Sequence, residues 1–329
     1  MDTATTKPES PDNPNDPEPE DSDDERPFPY KHKEHEKPPK QILDRRRYYS
    51  RNALKLNRAI RKNDIDGFRM ALANGVSPDE PIYKEPSPIT QCIIHERLEI
   101  MHLLFEHGVK SPQPPDALNG FDDELLFAAG KGNLQMLKDL VAYREKKRGS
   151  ARLKPGYADG AELIHAAAGW NKSVPGCMGW LLERGANINE ETRYWRTPLH
   201  FACDRPQPRV DVVRYLLEKG ADVDHVSEDG ETAIYLAANR GGGRVVRELL
   251  KRKPNLHEKT VDGETVLHAA VENCSLSVVE LLVEAGADVY VRDDRGWSIL
   301  EYARHTRRTE TVQWITENTS LETLITEPI

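Results

Sequence analysis

Two short patterns recur along this chain in step, and that constrains its fold more than any feature of its composition. The first is Thr197-Pro198-Leu199-His200-Phe201-Ala202-Cys203. It returns 35 residues later as Thr232-Ala233-Ile234-Tyr235-Leu236-Ala237-Ala238, then after 33 as Thr265-Val266-Leu267-His268-Ala269-Ala270-Val271, and after 33 more as Ser298-Ile299-Leu300. The second is a Leu-Leu pair closing on Gly185-Ala186, then Gly220-Ala221, Lys253-Pro254 and Gly286-Ala287, at the same intervals. Two landmarks that keep one beat define a structural unit of about 33 residues, stacked many times.

Each unit reads as a pair of helices. Thr197 can cap a helix start, its hydroxyl accepting an otherwise unpaired N–H, and Pro198 suits the first helical position. Leu199, Ala202 and Cys203 then share a face, with small side chains where a neighbour must come close. A second helix follows with apolar spacing, as at Val212, Val213, Leu216 and Leu217. Gly220 can supply the left-handed residue that ends it. Asp229-Gly230 and Asp262-Gly263 predict tight turns projecting before the next Thr. Neither helix can hide its apolar face alone, so the units must stack.

The Thr-Pro-Leu-His core and the Gly-Ala helix end resemble the ankyrin repeat. Weaker copies extend the resemblance towards the N-terminus: His165 among alanines, Gly130-Lys131-Gly132-Asn133, Ser87-Pro88-Ile89 with Gly108, and residues 54–60 with Gly75. The resemblance implies an all-α ankyrin-repeat solenoid over residues 50–320, built of helix-turn-helix units with projecting β-turn fingers. Approximate units run 50–82, 83–115, 119–150, 157–191, 192–226, 227–259, 260–292 and 293–320. Three departures stand out. A basic insertion near 146–157 lengthens one link, Lys253-Pro254 replaces the Gly-Ala end, and Trp195 stands where the turn glycine recurs, which predicts a differently shaped finger there. The long head and degenerate end repeats look similar to fungal ankyrin-type proteins.

Charge is distributed unevenly. Residues 1–40 hold 12 acidic and 6 basic residues, −6 of the formal −9, which leaves the body close to neutral. No global attraction to nucleic acid or anionic membrane follows, and direct nucleic-acid binding is not expected. Residues 9–25 carry nine acids and no base, interleaved with Pro11, Pro14, Pro17 and Pro19. Such a stretch cannot bury enough apolar surface to order itself, which predicts a disordered acidic, Pro-rich tail over residues 1–45. Within it Pro27-Phe28-Pro29-Tyr30 could be a short linear motif, and Arg45-Arg46-Arg47 an import signal. The four cysteines lie far apart without ligand spacing, which points to a reduced intracellular protein. No apolar run reaches membrane-spanning length.

Nothing in the sequence assembles a nucleophile, a base and an orienting group, so no catalytic residue, cofactor or metal is assigned. The resemblance gives the recurring residues Thr197, His200, Thr232, Thr265, His268 and His165 a structural role, latching each helix start to a neighbouring turn. It places partner contacts on the turn tips and the ends of the first helices. Carried over, these are Arg193, Tyr194, Trp195, Arg196, Glu228, Asp229, Asp262, Asp294, Arg295 and Trp297 on the tips, with Trp170, Arg205 and Arg240 at helix ends. Aromatic and arginine side chains concentrate binding energy at interfaces. The resemblance implies a non-enzymatic, monomeric scaffold or adaptor, cytoplasmic or nuclear, that binds another protein through its concave face. The alternative is a transcriptional co-regulator docking a DNA-binding protein in the nucleus.

Overall fold

The computed structural model describes residues 51–78, 86–109, 124–148, 163–169 and 175–319. The acidic tail, Trp170 and residues 149–157 of the basic insertion lie outside the described residues. Sixteen helices are present among the described residues, all of them α. The described residues divide into two compact units between Phe201 and Ala202.

The N-terminal unit contains α1 (Arg51–Lys62), α2 (Ile65–Ala73), α3 (Pro88–Ile94), α4 (Leu98–Glu106), α5 (Glu124–Lys131), α6 (Leu134–Arg148), α7 (Leu163–Gly169) and α8 (Pro175–Glu183). Odd-numbered helices form one row, with α3 packed between α1 and α5, and α5 against α7. In the second row α4 packs on α2 and α8 on α6. Helices of seven or eight residues are too short to persist alone; stacking stabilises them. All seven residues of α7 are buried. Its Gly169 lets the next helix in: a Cβ there would stand 3.2 Å from the Cβ of Phe201.

Helix α9 (Pro198–Cys203) spans the division. The C-terminal unit continues with α10 (Val210–Glu218), α11 (Ala233–Asn239), α12 (Gly243–Leu250), α13 (Val266–Asn273), α14 (Leu276–Glu284), α15 (Ile299–His305) and α16 (Thr309–Asn318). Here α13 lies between α11 and α15, and α10, α12, α14 and α16 pack in sequence. Residues Ala233 through Ala238 of α11 are all buried, where α12 and α13 pack on that helix. Helix α12 shows the other pattern. Val245, Val246 and Leu249 are buried, while Arg244 is exposed.

Left-handed backbone ends most of the second helices. Gly75, Gly108, Gly185, Gly220 and Gly286 have positive φ, and Lys253 takes the same conformation at φ 53°. The Lys253-Pro254 departure therefore changes the residue and keeps the backbone geometry.

Candidate partner-binding surface

Four fingers project ahead of α9, α11, α13 and α15, and all close in the same way. In residues 192–196, Thr192 N–H donates to Arg196 O at 3.0 Å and Trp195 N–H to Thr192 O at 3.0 Å. The matching pairs at 227–231, 260–264 and 293–297 span 2.9–3.0 Å. The first side chain of each finger adds a third bond. Thr192, Ser227 and Thr260 hydroxyls each accept the N–H four residues on at 3.2 Å, and the Asp293 carboxylate accepts Trp297 N–H at 2.7 Å. The turn ends on a left-handed residue: Gly230, Gly263, Gly296 and, in the first finger, Trp195 at φ 55°. The expectation of a differently shaped finger at Trp195 is thus corrected. The three backbone and hydroxyl bonds override the preference of an L side chain, and the finger keeps the common form.

Gly230 and Gly263 have a second reason to be glycine. Consecutive fingers of the C-terminal unit are joined by Val261 N–H to Asp229 O at 2.9 Å and Asp294 N–H to Asp262 O at 3.0 Å. A Cβ on Gly230 would fall 2.5 Å from Lys259 O, and one on Gly263 2.7 Å from Asp294 N. The side chains of Glu228, Asp229, Asp262 and Asp294 stay exposed along this edge.

Beneath the fingers lie the recurring histidines, all buried. His268 Nδ1 faces Thr265 N–H at 3.1 Å and the Thr265 hydroxyl at 3.0 Å, and its Nε2 faces Trp297 O at 3.4 Å. Because Nδ1 accepts the backbone N–H, the proton is assigned to Nε2, which donates onward to the next finger. Burial lowers the pKa of this imidazole, although the Trp297 carbonyl and nearby carboxylates pull the other way. His200 Nδ1 meets Thr197 N–H and hydroxyl at 3.1 and 2.8 Å. His165 Nε2 reaches Glu190 O at 2.9 Å and Arg196 O at 3.2 Å. The same helix position holds Tyr235 in α11 and Glu301 in α15. Thr232 caps α11 by accepting Tyr235 N–H, and the Tyr235 hydroxyl donates to Glu264 Oε2 at 2.6 Å. Glu301 closes a reciprocal cap with Ser298.

The tip residues separate into two kinds. At 193–196, Arg193, Tyr194 and Trp195 are exposed, the two aromatics by 43% and 55%. Arg196 is half-buried with its guanidinium 5.4 Å over the Phe201 ring. At 293–297, Arg295 donates to Asp293 Oδ2 at 2.8 Å, to Glu264 Oε1 at 3.2 Å and to the Tyr302 hydroxyl. Tyr302 in turn shares its hydrogen between Glu264 Oε1 at 2.6 Å and Asp293 Oδ2 at 2.9 Å. Trp297 packs edge-on against Tyr302 and His305, with centroids 5.7 and 5.3 Å away. Arg240 is held by Asp204 at 2.7 Å, and burial lowers the pKa of the half-buried Arg205.

Cys92, Cys177, Cys203 and Cys274 are free and buried. Burial pushes the Cys177 thiol up to about 11, and Cys92 and Cys203 higher, far from the thiolate a nucleophile needs. Among the described residues no group of three or more His, Cys, Asp or Glu could hold a metal ion, and no helix is long and apolar enough to cross a membrane.

A family model described as ankyrin repeats matches in three overlapping copies, over residues 125–227, 211–293 and 234–323, more than half of the sequence. The chain belongs to the ankyrin-repeat family. Its relatives include Ankyrin repeat domain-containing protein 53 of Homo sapiens, 34% identical over 119 residues, which are 35% of this chain and 21% of that protein. The Nuclear factor NF-kappa-B p105 subunit of Gallus gallus is 32% identical over 190 residues, 56% of this chain and 18% of the relative. Protein phosphatase 1 regulatory subunit 27 of Homo sapiens is 40% identical over 55 residues, 17% of this chain and 34% of the relative. The matched stretches thus span about a third or less of each of these relatives. Ankyrin repeats are in general protein-interaction modules, and this one combines a bonded scaffold with tips of two different kinds.

Proposed function

We propose that this ankyrin-repeat chain is a non-catalytic adaptor whose principal contact is the finger at 193–196. The observation that carries the reading is Trp195. It holds a backbone conformation given to glycine in the other three fingers, which costs a non-glycine residue of order 1–2 kcal/mol, and its indole is more than half exposed. An aromatic residue kept at such a position, beside an exposed Tyr194 and Arg193, has the composition of an interface anchor. We read all eight helix pairs as ankyrin-type units. The acidic tips Glu228, Asp229, Asp262 and Asp294 form a secondary contact that favours a basic or mixed-charge partner segment.

The test compares affinity-purified partners of the full chain with those of a Tyr194→Ala/Trp195→Ala variant and a Tyr290→Ala control, Tyr290 being an exposed aromatic that belongs to none of the four fingers. Partners lost only from the double variant, with unchanged circular dichroism, support the assignment. An identical partner set for all three overturns it.

A second reading, a transcriptional co-regulator that docks a DNA-binding protein in the nucleus, is motivated by the acidic head and Arg45-Arg46-Arg47, and one relative carries the name of a nuclear factor subunit. A tagged chain that stays out of nuclei under all conditions removes it.

A further inference from the structure

The first helix pair encloses a groove of about 440 Å³ whose lining is basic on one side and apolar at its base. Lys55, Arg58 and Lys62 line it at three- and four-residue steps along α1, so they stand in a row. Met70 on α2 lines the same groove, with the buried Ala59 and Ala71. The carboxylate in the lining, Asp64, is turned to its own helix start, where it accepts Gly67 N–H at 2.8 Å. The three cations are exposed, as are Leu54 by 52% and Met70 by 66%. Helices α3 and α4 cover one side of this pair. Terminal repeats carry a polar outer face, and here that face is a row of cations with Met70 exposed beside it.

We propose that the groove is the docking site of the chain's own head, residues 18–30. Residues 18–25 supply six carboxylates and no base, matching the row of three cations, and Phe28 between Pro27 and Pro29 supplies the apolar group that Met70 faces. The roughly 25 residues between Phe28 and Lys55 can extend to about 85 Å, ample to bring the head back to α1. Tethering raises the effective concentration to the millimolar range, so a weak contact suffices. The docked head caps the array and leaves its surplus carboxylates in water. This contact does not involve residues 193–196 and stands or falls separately from the proposed function.

The test uses the full chain, isotope-labelled, with a nitroxide on Ala73→Cys, an exposed position at the end of α2 beside the groove; the native cysteines are buried. Paramagnetic broadening of the amides of residues 21–28 is expected. It should disappear in Lys55→Glu/Arg58→Glu/Lys62→Glu and at about 1 M salt, where the screening length falls to about 3 Å. It should also disappear in Asp23→Asn/Asp24→Asn/Phe28→Ala, whose changes lie in the head and leave the array sequence intact. Absence of broadening in the head overturns the proposal, as expected if an external partner uses the groove. Broadening seen only when label and isotope are on different molecules also overturns it, in favour of a second copy.

Discussion

Fingers 192–196 and 293–297 share a backbone and carry similar residues, yet they dispose of their side chains in opposite ways. In the last finger Asp293, buried at the first position, draws in Arg295, and Glu264 and Tyr302 complete the network around it. Thr192 occupies the same place in the earlier finger and closes the turn with its hydroxyl alone. Arg193, Tyr194 and Trp195 are exposed in that finger. An arginine or tryptophan on a fingertip is therefore a weaker contact candidate where buried carboxylates of the array hold it in place. By that measure Arg295, bonded to Asp293, Glu264 and Tyr302, is largely committed to the fold.

The comparison can be broken first through stability. His268→Ala removes the acceptor for Thr265 N–H and hydroxyl and the donor to Trp297 O, all beneath the last finger. Buried polar groups left unmatched cost about 1–3 kcal/mol each, and the truncated ring leaves a cavity, so a loss of about 3 kcal/mol is expected by urea denaturation. Tyr302→Phe should cost about 1–2 kcal/mol, because the carboxylates of Glu264 and Asp293 lose a shared donor. Near-neutral results would mean that the network in the last finger contributes little to the fold.

Next comes binding. Tyr194→Ala/Trp195→Ala should weaken partner affinity by about 30-fold or more, corresponding to about 2 kcal/mol for paired anchors, with the denaturation midpoint unchanged. Arg295→Ala should do the reverse, lowering the midpoint while leaving affinity nearly intact. Calorimetric titration of both variants against a captured partner decides it; equal loss of affinity from both would erase the distinction between the fingers.

Much of this was legible in the sequence, and the limits have physical causes. The helix pairs follow from periodicity, since a 33-residue beat leaves few ways to bury alternating apolar faces. The finger of Trp195 was not legible. Sequence reasoning treats a missing glycine as a missing turn, whereas three hydrogen bonds here hold a tryptophan in the glycine's conformation. The difference between the two tip clusters was hidden too, because it depends on Glu264 and Tyr302, 29 and 9 residues from Asp293 in sequence. One signal could have found it: an acidic residue replacing Thr or Ser at the first finger position.

Acid should sharpen the contrast from the side of the last finger. Burial lowers the pKa of His268, so the unfolded chain takes up a proton near its ordinary value of 6.5 before the native state does. Stability of the C-terminal unit is then complete above about pH 6.5 and declines as pH falls below it. A further decline begins lower. Burial alone would raise Glu301, but bonds from Ser298 N–H and hydroxyl and from Arg292 outweigh it and hold the carboxyl below its ordinary 4.5. Burial likewise opposes but does not cancel the bonds from Trp297, Arg295 and Tyr302 that depress Asp293. Those contributions are present above the unfolded values and lost as pH drops through the folded ones. Urea midpoints across pH should show both steps, with Glu301→Gln flattening only the lower one.

The smallest effect isolates the cost of the left-handed backbone itself. Lys253 and Trp195 are both non-glycine residues at φ near 55° where sister repeats carry glycine. Replacement by glycine relieves the strained conformation in the folded state and adds freedom to the unfolded chain, and these partly cancel. Lys253→Gly should therefore stabilise by no more than about 1 kcal/mol and leave partner affinity unchanged, since that residue ends a helix away from the fingers. Trp195→Gly should give a similar gain in denaturation midpoint and a large loss of affinity. If Trp195→Gly instead lowered stability, the indole would be packing on the array, and its exposure would no longer argue for a partner. If both variants gained stability and neither lost affinity, the strain at Trp195 would have no functional return.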